Sequence, residues 1–238
     1  MRGRLTKNSW ILTKPIAHRG LTDENAVENS KLAYEQAIKS GFPIEMDVQI
    51  TKDGVAVCFH DDNLKRVTGV DKNINDVTYN ELCTLTLGGT EQKIMTFEQF
   101  LDFVNGQVPL MIELKMQKSK QYDVAKIALD HLKNYKGEYA VQSFDPRIVI
   151  AVKKYAPWVI RGQLGGIKDR GNVSFLNYVM CKYMPLNFIA KPDFINCNIH
   201  VMPKKFNRPV IVWTVQTEDQ LAQTKDWKVN CIFENVRP

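Results

Sequence analysis

A single (β/α)8 barrel of the TIM type, with a small insertion after the second strand and a missing or truncated last helix, is the fold class that the sequence predicts. Three observations carry it. Eight short apolar, β-branched runs recur along the chain, helical patterns fall between them, and no Gly-x-Gly-x-x-Gly turn supports the competing doubly wound open sheet. With 238 residues, 44% of them apolar, and no Gly/Ser/Pro-rich linker, the chain reads as one domain, 1–238.

In order, the predicted strands are Pro15 to Ala17, Pro43 to Ile50, Val108 to Leu114, Tyr139 to Gln142, Trp158 to Gln163, then Phe188 to Ala190 or Asp193 to Cys197, Pro209 to Thr214, and Val229 to Phe233. Between them, Asn29 to Ser40 has an apolar stripe of Leu32, Ala33 and Ala37 and is closed by Gly41. Gln121 to Asn134 repeats the pattern with Val124, Ile127, Ala128 and Leu132. Asp145-Pro146 opens a further helix, the aspartate as cap and the proline at the first helical position.

From about residue 60 to 95 the period breaks into polar, turn-rich sequence, an excursion long enough to form a cap over a site. The chain stops five residues after Phe233, which leaves no room for an eighth outer helix. Either the N-terminal arm, 1–13, or another subunit covers that gap; the oligomeric state itself is not readable.

The net charge of +6 favours anionic ligands without specifying one, because Lys and Arg look scattered. No nucleic-acid partner is expected, since no basic stripe interleaves with aromatics. The densest basic stretch is the start, with Arg2, Arg4, Lys7 and Lys14 near Trp10, Ile11 and Leu12. It offers weak contact with an anionic membrane surface, although a solvated arm is the favoured reading. Its apolar run is too short for a signal peptide or a spanning helix, so the expected compartment is the cytoplasm. The five cysteines (Cys58, Cys83, Cys181, Cys197, Cys231) are odd in number and contain no Cys-x-x-Cys pair, which fits free thiols in a reducing compartment.

Polar residues at the carboxyl ends of barrel strands usually mark chemistry. In Ile44-Glu45-Met46-Asp47-Val48, the strand period of two puts Glu45 and Asp47 on one face. Two carboxylates projecting into a barrel repel one another unless a cation lies between them, and oxygen ligands suit Mg²⁺, Ca²⁺ or Mn²⁺. Exposure, or matching by lysines, is the alternative. Glu113 and Lys115 repeat the spacing; Glu113 can complete the metal shell while Lys115 meets an anion, or the two can form a plain ion pair.

His18 and His60 each follow an apolar run, a placement that suits a general acid and a general base. His131 and His200 look unremarkable. Arg19 brings a planar donor fork to phosphate oxygens, and Gly20 permits the tight turn. Gln163 and Asn187 are weaker candidates for substrate contacts, and Gly165-Gly166 for an anion cradle against the plainer reading of a turn.

The ordered motifs His18-Arg19-Gly20, Glu28-Asn29-Ser30, Glu45-x-Asp47, Asp53-Gly54, His60-Asp61 and Glu113-x-Lys115 resemble those of the glycerophosphodiester phosphodiesterase family, with Ser143-Phe144 and Trp213-Thr214-Val215 recurring later. The resemblance runs from about Ile16 to Pro238. It implies an eight-stranded barrel that hydrolyses glycerophosphodiesters to an alcohol and sn-glycerol 3-phosphate. Carried onto this chain, it implies one divalent metal (Mg²⁺ or Ca²⁺, with Mn²⁺ as a third option) on Glu45, Asp47 and Glu113. His18 and His60 are then acid and base, Arg19 and Lys115 hold phosphate, and Phe144 and Trp213 wall the glycerol pocket. The family's Thr-Asp before Arg-Pro is replaced here by Glu234-Asn235-Val236, so Glu234 is a partial substitute. Two other functions compete: lysophospholipase D-like activity on lysophospholipids, and an inactive phosphate-binding barrel.

Overall fold

The computed structural model describes residues 4–116, 123–166, 174–201 and 207–238. Among these described residues nine strands occur: β1 (Ile16–Ala17), β2 (Ile44–Ile50), β3 (Ala56–Cys58), β4 (Leu110–Leu114), β5 (Tyr139–Ser143), β6 (Arg161–Gly165), β7 (Phe194–Asn198), β8 (Val210–Val215) and β9 (Asn230–Phe233). The strand order is β1-β9-β8-β7-β6-β5-β4-β2-β3, and the additional β1–β2 pairing makes this the predicted class, an eight-stranded parallel barrel, with β3 as an extra strand.

The chain divides into two compact units, one of residues 17–139 and one of residues 1–16 with 140–238. In the first, β2 runs parallel to β4 with Asp47 opposite Glu113, and antiparallel to β3 with Val48 opposite Cys58. Every residue of β2 and β4 is buried, so side chains on both faces sit in low dielectric. Helix Lys31–Lys39 covers this sheet. It starts later than the apolar stripe suggests, because the Ser30 side chain takes the cap by accepting from Ala33 N and Asn29 has left-handed backbone at φ 54°. The predicted helix 121–134 runs Val124–Leu132 behind its Asp123 cap; Gln121 lies outside the described residues.

The excursion after β3 carries its own apolar cluster, in which Leu64, Val67, Ile74, Val77, Leu82, Leu87 and Ile94 pack with Val57 and Phe59. Short helical turns at Lys65–Thr68, Ile74–Asp76 and Tyr79–Leu82 replace long elements there. β3 itself is a correction to the eight-strand count. Its three residues are too few to register as an element apart from the run that precedes His60.

In the second unit, two expectations shift. Trp158 is 73% exposed and β6 begins only at Arg161, because the helix Pro146–Tyr155 hands over to a loop first. Of the two candidates for the next strand, Asn187–Ala190 is a helical turn and the Asp193 run becomes β7. The predicted Asp145 cap and Pro146 first-turn proline are both present.

The apolar part of the N-terminal arm is packed into the fold, while Arg4, Thr6, Lys7 and Asn8 are exposed. Trp10 and Ile11 are buried in a short helix, Trp10–Thr13, which packs against β8 and β9, and Asn230 Nδ2 donates to Ile11 O at 2.9 Å and Lys14 O at 2.6 Å. Arg4 is ion-paired with buried Asp193, while Arg2 lies outside the described residues. Two apolar side chains outweigh the exposed preference of their basic neighbours. Among the described residues no helix is long and apolar enough to cross a membrane.

Candidate metal-assisted active site

The parallel register of β2 and β4 brings three acids together. Glu45, Asp47 and Glu113 are all buried, and one carboxylate oxygen from each lies within 4.8 Å of the others. Burial, then the neighbouring Asp47 and Glu113 charges, push the Glu45 carboxyl well above the usual range, against Arg19 and Lys115. Burial acts in the same sense on Asp47, but the charges of Lys115, His60 and Arg19 and a hydrogen bond from Asn29 outweigh it and hold that carboxyl well below.

Matching by lysine is therefore part of the answer. Lys115 Nζ lies 2.9 Å from Asp47 Oδ1 and 2.6 Å from Glu113 Oε1. Burial alone would lower the Lys115 ammonium, yet Asp47 and Glu113 raise it, so it stays charged. Three acids nevertheless face Lys115 and an Arg19 that Glu28 also claims, and Glu45 carries the residual repulsion. Three hard oxygen donors with unbalanced negative charge fit a divalent cation of the Mg²⁺, Ca²⁺ or Mn²⁺ kind.

The turn after β1 delivers Arg19. Its backbone N–H donates to Glu45 Oε2 at 3.1 Å, its Nε is 3.4 Å from Asp47 Oδ2, and its Nη1 is 2.7 Å from Glu28 Oε1. Arg19 has φ 56° and Gly20 φ 88°, and a Cβ on Gly20 would stand 2.7 Å from the Ala33 backbone. Glycine is required there on both counts. Asn29 closes the turn: its N–H donates to Arg19 O, its Nδ2 to Asp47 Oδ2 at 2.9 Å, and its Oδ1 accepts from the buried Tyr34 hydroxyl at 2.9 Å.

His60 is held from two directions. Buried Gln49 on β2 donates its Nε2 to the carbonyls of His60 at 3.0 Å and Asp61 at 2.9 Å, and His60 Nδ1 is 2.6 Å from Asp61 Oδ1. Arg66, on the first helical turn of the excursion, then bridges Asp61 at 2.6 Å and Glu28 at 2.6 Å, so one chain of ion pairs joins His60 to Arg19. Burial first, with Lys115 and Arg19, lowers the His60 imidazole against the pull of Asp47 and Asp61. His18 is half-buried at the end of β1, directly before Arg19.

Thus β1, β2, β3 and β4 position His18, Arg19, Glu45, Asp47, His60, Glu113 and Lys115 within one unit. Phe144 and Trp213 lie in the other, where their rings meet edge-on at 5.4 Å and Trp213 Nε1 donates to Asn196 O at 3.2 Å. The secondary candidates fare differently. Gln163 is buried and spends its amide on the carbonyls of Ser143 and Phe144, a structural tie. Gly165 is the last residue of β6, and Gly166 N–H is taken by Cys181 O at 3.0 Å, so that amide already has an acceptor within the fold. Glu234 accepts from Gln216 at 3.2 Å. Sequence reasoning missed Tyr34, Gln49 and Arg66. No signal marks a lone arginine on a surface turn, whereas the polar Gln49 within an apolar strand, two residues after Asp47, was a readable one.

Comparison with known proteins gives consistent findings. The sequence profile of the Glycerophosphoryl diester phosphodiesterase family matches residues 18–236. Lysophospholipase D GDPD1 of Homo sapiens is 48% identical over 77 residues, which are 32% of this chain and 24% of that protein, so the match spans about a quarter of that relative. The Bacillus subtilis (strain 168) protein YhdW is 32% identical over 235 residues, 91% of this chain and 92% of its own. Among solved structures, an Oleispira antarctica phosphodiesterase in complex with the product sn-glycerol-3-phosphate superposes with a TM-score of 0.80 at 20% identity, covering 94% of this chain and 93% of that one.

Proposed function

Because this chain belongs to the glycerophosphoryl diester phosphodiesterase family, we propose that it hydrolyses glycerophosphodiesters, in a metal-dependent reaction, to an alcohol and sn-glycerol 3-phosphate. The observation that carries the reading is the meeting of Glu45, Asp47 and Glu113 oxygens within 4.8 Å. A divalent cation held there supplies Lewis-acid polarisation of the phosphoryl group and offsets the charge that develops on it. Arg19 and Lys115, both already against these acids, are the cations for the remaining phosphate oxygens.

Proton transfer falls to the histidines. With Nδ1 committed to Asp61, His60 exchanges protons through Nε2, and its lowered pKa keeps the imidazole neutral near pH 7. His18 is the second imidazole. One takes the proton of the attacking oxygen, from water or from the neighbouring glycerol hydroxyl, as the new P–O bond forms; the other protonates the departing alcohol as the old bond breaks, and where the hydroxyl attacks, water then opens the resulting cyclic phosphate by the same proton exchange in reverse to give sn-glycerol 3-phosphate. Phe144 and Trp213 wall the glycerol pocket, and the excursion at 60–95 serves as a cap. Free cysteines support a reducing compartment, the cytoplasm.

The test is release of glycerol 3-phosphate from glycerophosphocholine and glycerophosphoethanolamine after chelation and add-back of Mg²⁺, Ca²⁺ or Mn²⁺. Activity should vanish with chelator and in His18→Ala or His60→Ala, with metal uptake by the variants intact. Turnover that survives chelation overturns metal dependence, and full activity in either variant removes that histidine from the chemistry. The 48% identity to the human lysophospholipase D GDPD1 favours a second reading, lysophospholipid cleavage. Turnover of glycerophosphocholine without turnover of lysophosphatidylcholine dismisses it.

A further inference from the structure

Four exposed apolar side chains of the second unit belong to two segments that meet. Trp158 and Phe188 are each 73% exposed, Tyr155 42% and Ile189 40%. Local hydrogen bonds tie the Trp158 loop and the Asn187–Ala190 turn to one neighbourhood. Arg161 donates to Pro157 O at 3.4 Å on the Trp158 loop and to Ala190 O at 3.2 Å and Lys191 O at 3.0 Å beside Phe188. Lys153 Nζ donates to Ile189 O at 2.5 Å, joining the helix Pro146–Tyr155 to the Asn187–Ala190 turn.

The charge around these side chains is one-sided. Lys153, Lys154, Arg161 and Lys191 stand in the segments that carry them, against one acid among the described residues there, Asp193, which is buried and paired with Arg4. A lysine stands beside an exposed ring: Lys154 is 5.8 Å from the Tyr155 centroid.

Exposed Tyr, Trp and Phe on a helix end, a loop and a short helical turn, interleaved with Lys, are the composition of a lipid-interface surface, in which rings enter the headgroup layer and ammonium groups meet anionic lipid. We propose that this face docks reversibly on the anionic surface of a phospholipid bilayer. Charge complementarity selects that occupant over a second copy of the chain, because a two-fold contact would press two positive faces together. The face lies before β6 and β7 begin, whereas Phe144 and Trp213 stand at the far ends of β5 and β8, so within this unit docking leaves the ring pair open to water. The bilayer therefore concentrates the protein near the source of headgroup diesters without having to feed lipid into the site.

Co-sedimentation of the full chain with vesicles of phosphatidylcholine alone, and of phosphatidylcholine mixed with phosphatidylglycerol, tests this at low and high salt. Binding should require phosphatidylglycerol and weaken with salt. It should fall about tenfold both in Trp158→Ala/Phe188→Ala and in Lys154→Glu/Lys191→Glu, while turnover of glycerophosphocholine without vesicles stays at the wild-type value. Since all four side chains are exposed, these variants should fold. No binding to the anionic vesicles, or binding that the aromatic variant leaves unchanged, overturns the proposal. So does a wild-type dimer that Trp158→Ala/Phe188→Ala dissociates, since that assigns the face to a second copy.

Discussion

Arg66→Ala is the sharpest test of how the site is organised, because Arg66 touches neither the acid cluster nor either histidine. Its guanidinium spans two carboxylates, with Nε 2.6 Å from Asp61 Oδ2, and Nη1 and Nη2 at 2.8 and 2.6 Å from Glu28. The side chain is 52% exposed, so each pair is discounted to surface strength and the total cost in stability is about 1–2 kcal/mol, or roughly 3–6 °C in Tm. The larger effect is on geometry. Asp61 loses the donor that fixes it against His60, Glu28 loses the donor opposite Arg19, and misplacement of two such groups should lower kcat about ten- to a hundredfold with KM little changed. Burial raises the Asp61 carboxyl, and Arg66 with His60 outweighs this to hold it low. Without Arg66 it protonates at higher pH, so the acid limb of the kcat profile should move upward. Arg66→Lys should not rescue, because a single ammonium cannot fork between two carboxylates. Steady-state kinetics across pH with glycerophosphocholine reads all three effects. A kcat within twofold of wild type, with an unmoved acid limb, refutes the relay.

Tyr34→Phe deletes the buried donor to Asn29 Oδ1 and should cost about 1–2 kcal/mol in urea unfolding, with divalent-metal affinity falling about tenfold as Asn29 loosens from Asp47. Gly20→Ala forces an L side chain to φ 88° and a Cβ to 2.7 Å from the Ala33 backbone, so chemical denaturation should show a loss of about 1–3 kcal/mol or more. The raised Glu45 carboxyl binds a proton in the folded state that the unfolded chain releases near 4.5, so its contribution to stability is complete below that pH and is lost as pH rises through the folded value. Chelated protein should accordingly lose stability as pH rises above about 4.5, divalent metal should flatten the curve, and calorimetry in two buffers should detect a proton released on metal uptake.

Most of the site was readable because barrel strands obey a strict period. Glu45 and Asp47, or Glu113 and Lys115, share a face by counting alone, and the apolar runs before His18 and His60 place both at strand ends. What escaped was the support around them. Arg66 joins the site only through the tertiary path of the excursion, and Asn29 looks like a helix residue until its left-handed backbone turns the amide onto Asp47. The basic N-terminal residues suggested solvation, yet burial of Trp10 and Ile11 decides that segment. Lys153, Lys154 and Lys191 looked dispersed in one dimension, and hydrogen bonds of Arg161 and Lys153 bring their segments together.

The short N-terminal helix also bears on where this protein can be cut. The family match begins at His18, so a chain trimmed to that boundary discards Trp10 and Ile11, two side chains worth about 1.5–3 kcal/mol each on burial. It would also strip the Asn230 amide of both its carbonyl acceptors. Homology sets the edge of the chemistry at residue 18, while the hydrophobic interior of the second unit extends at least eight residues upstream.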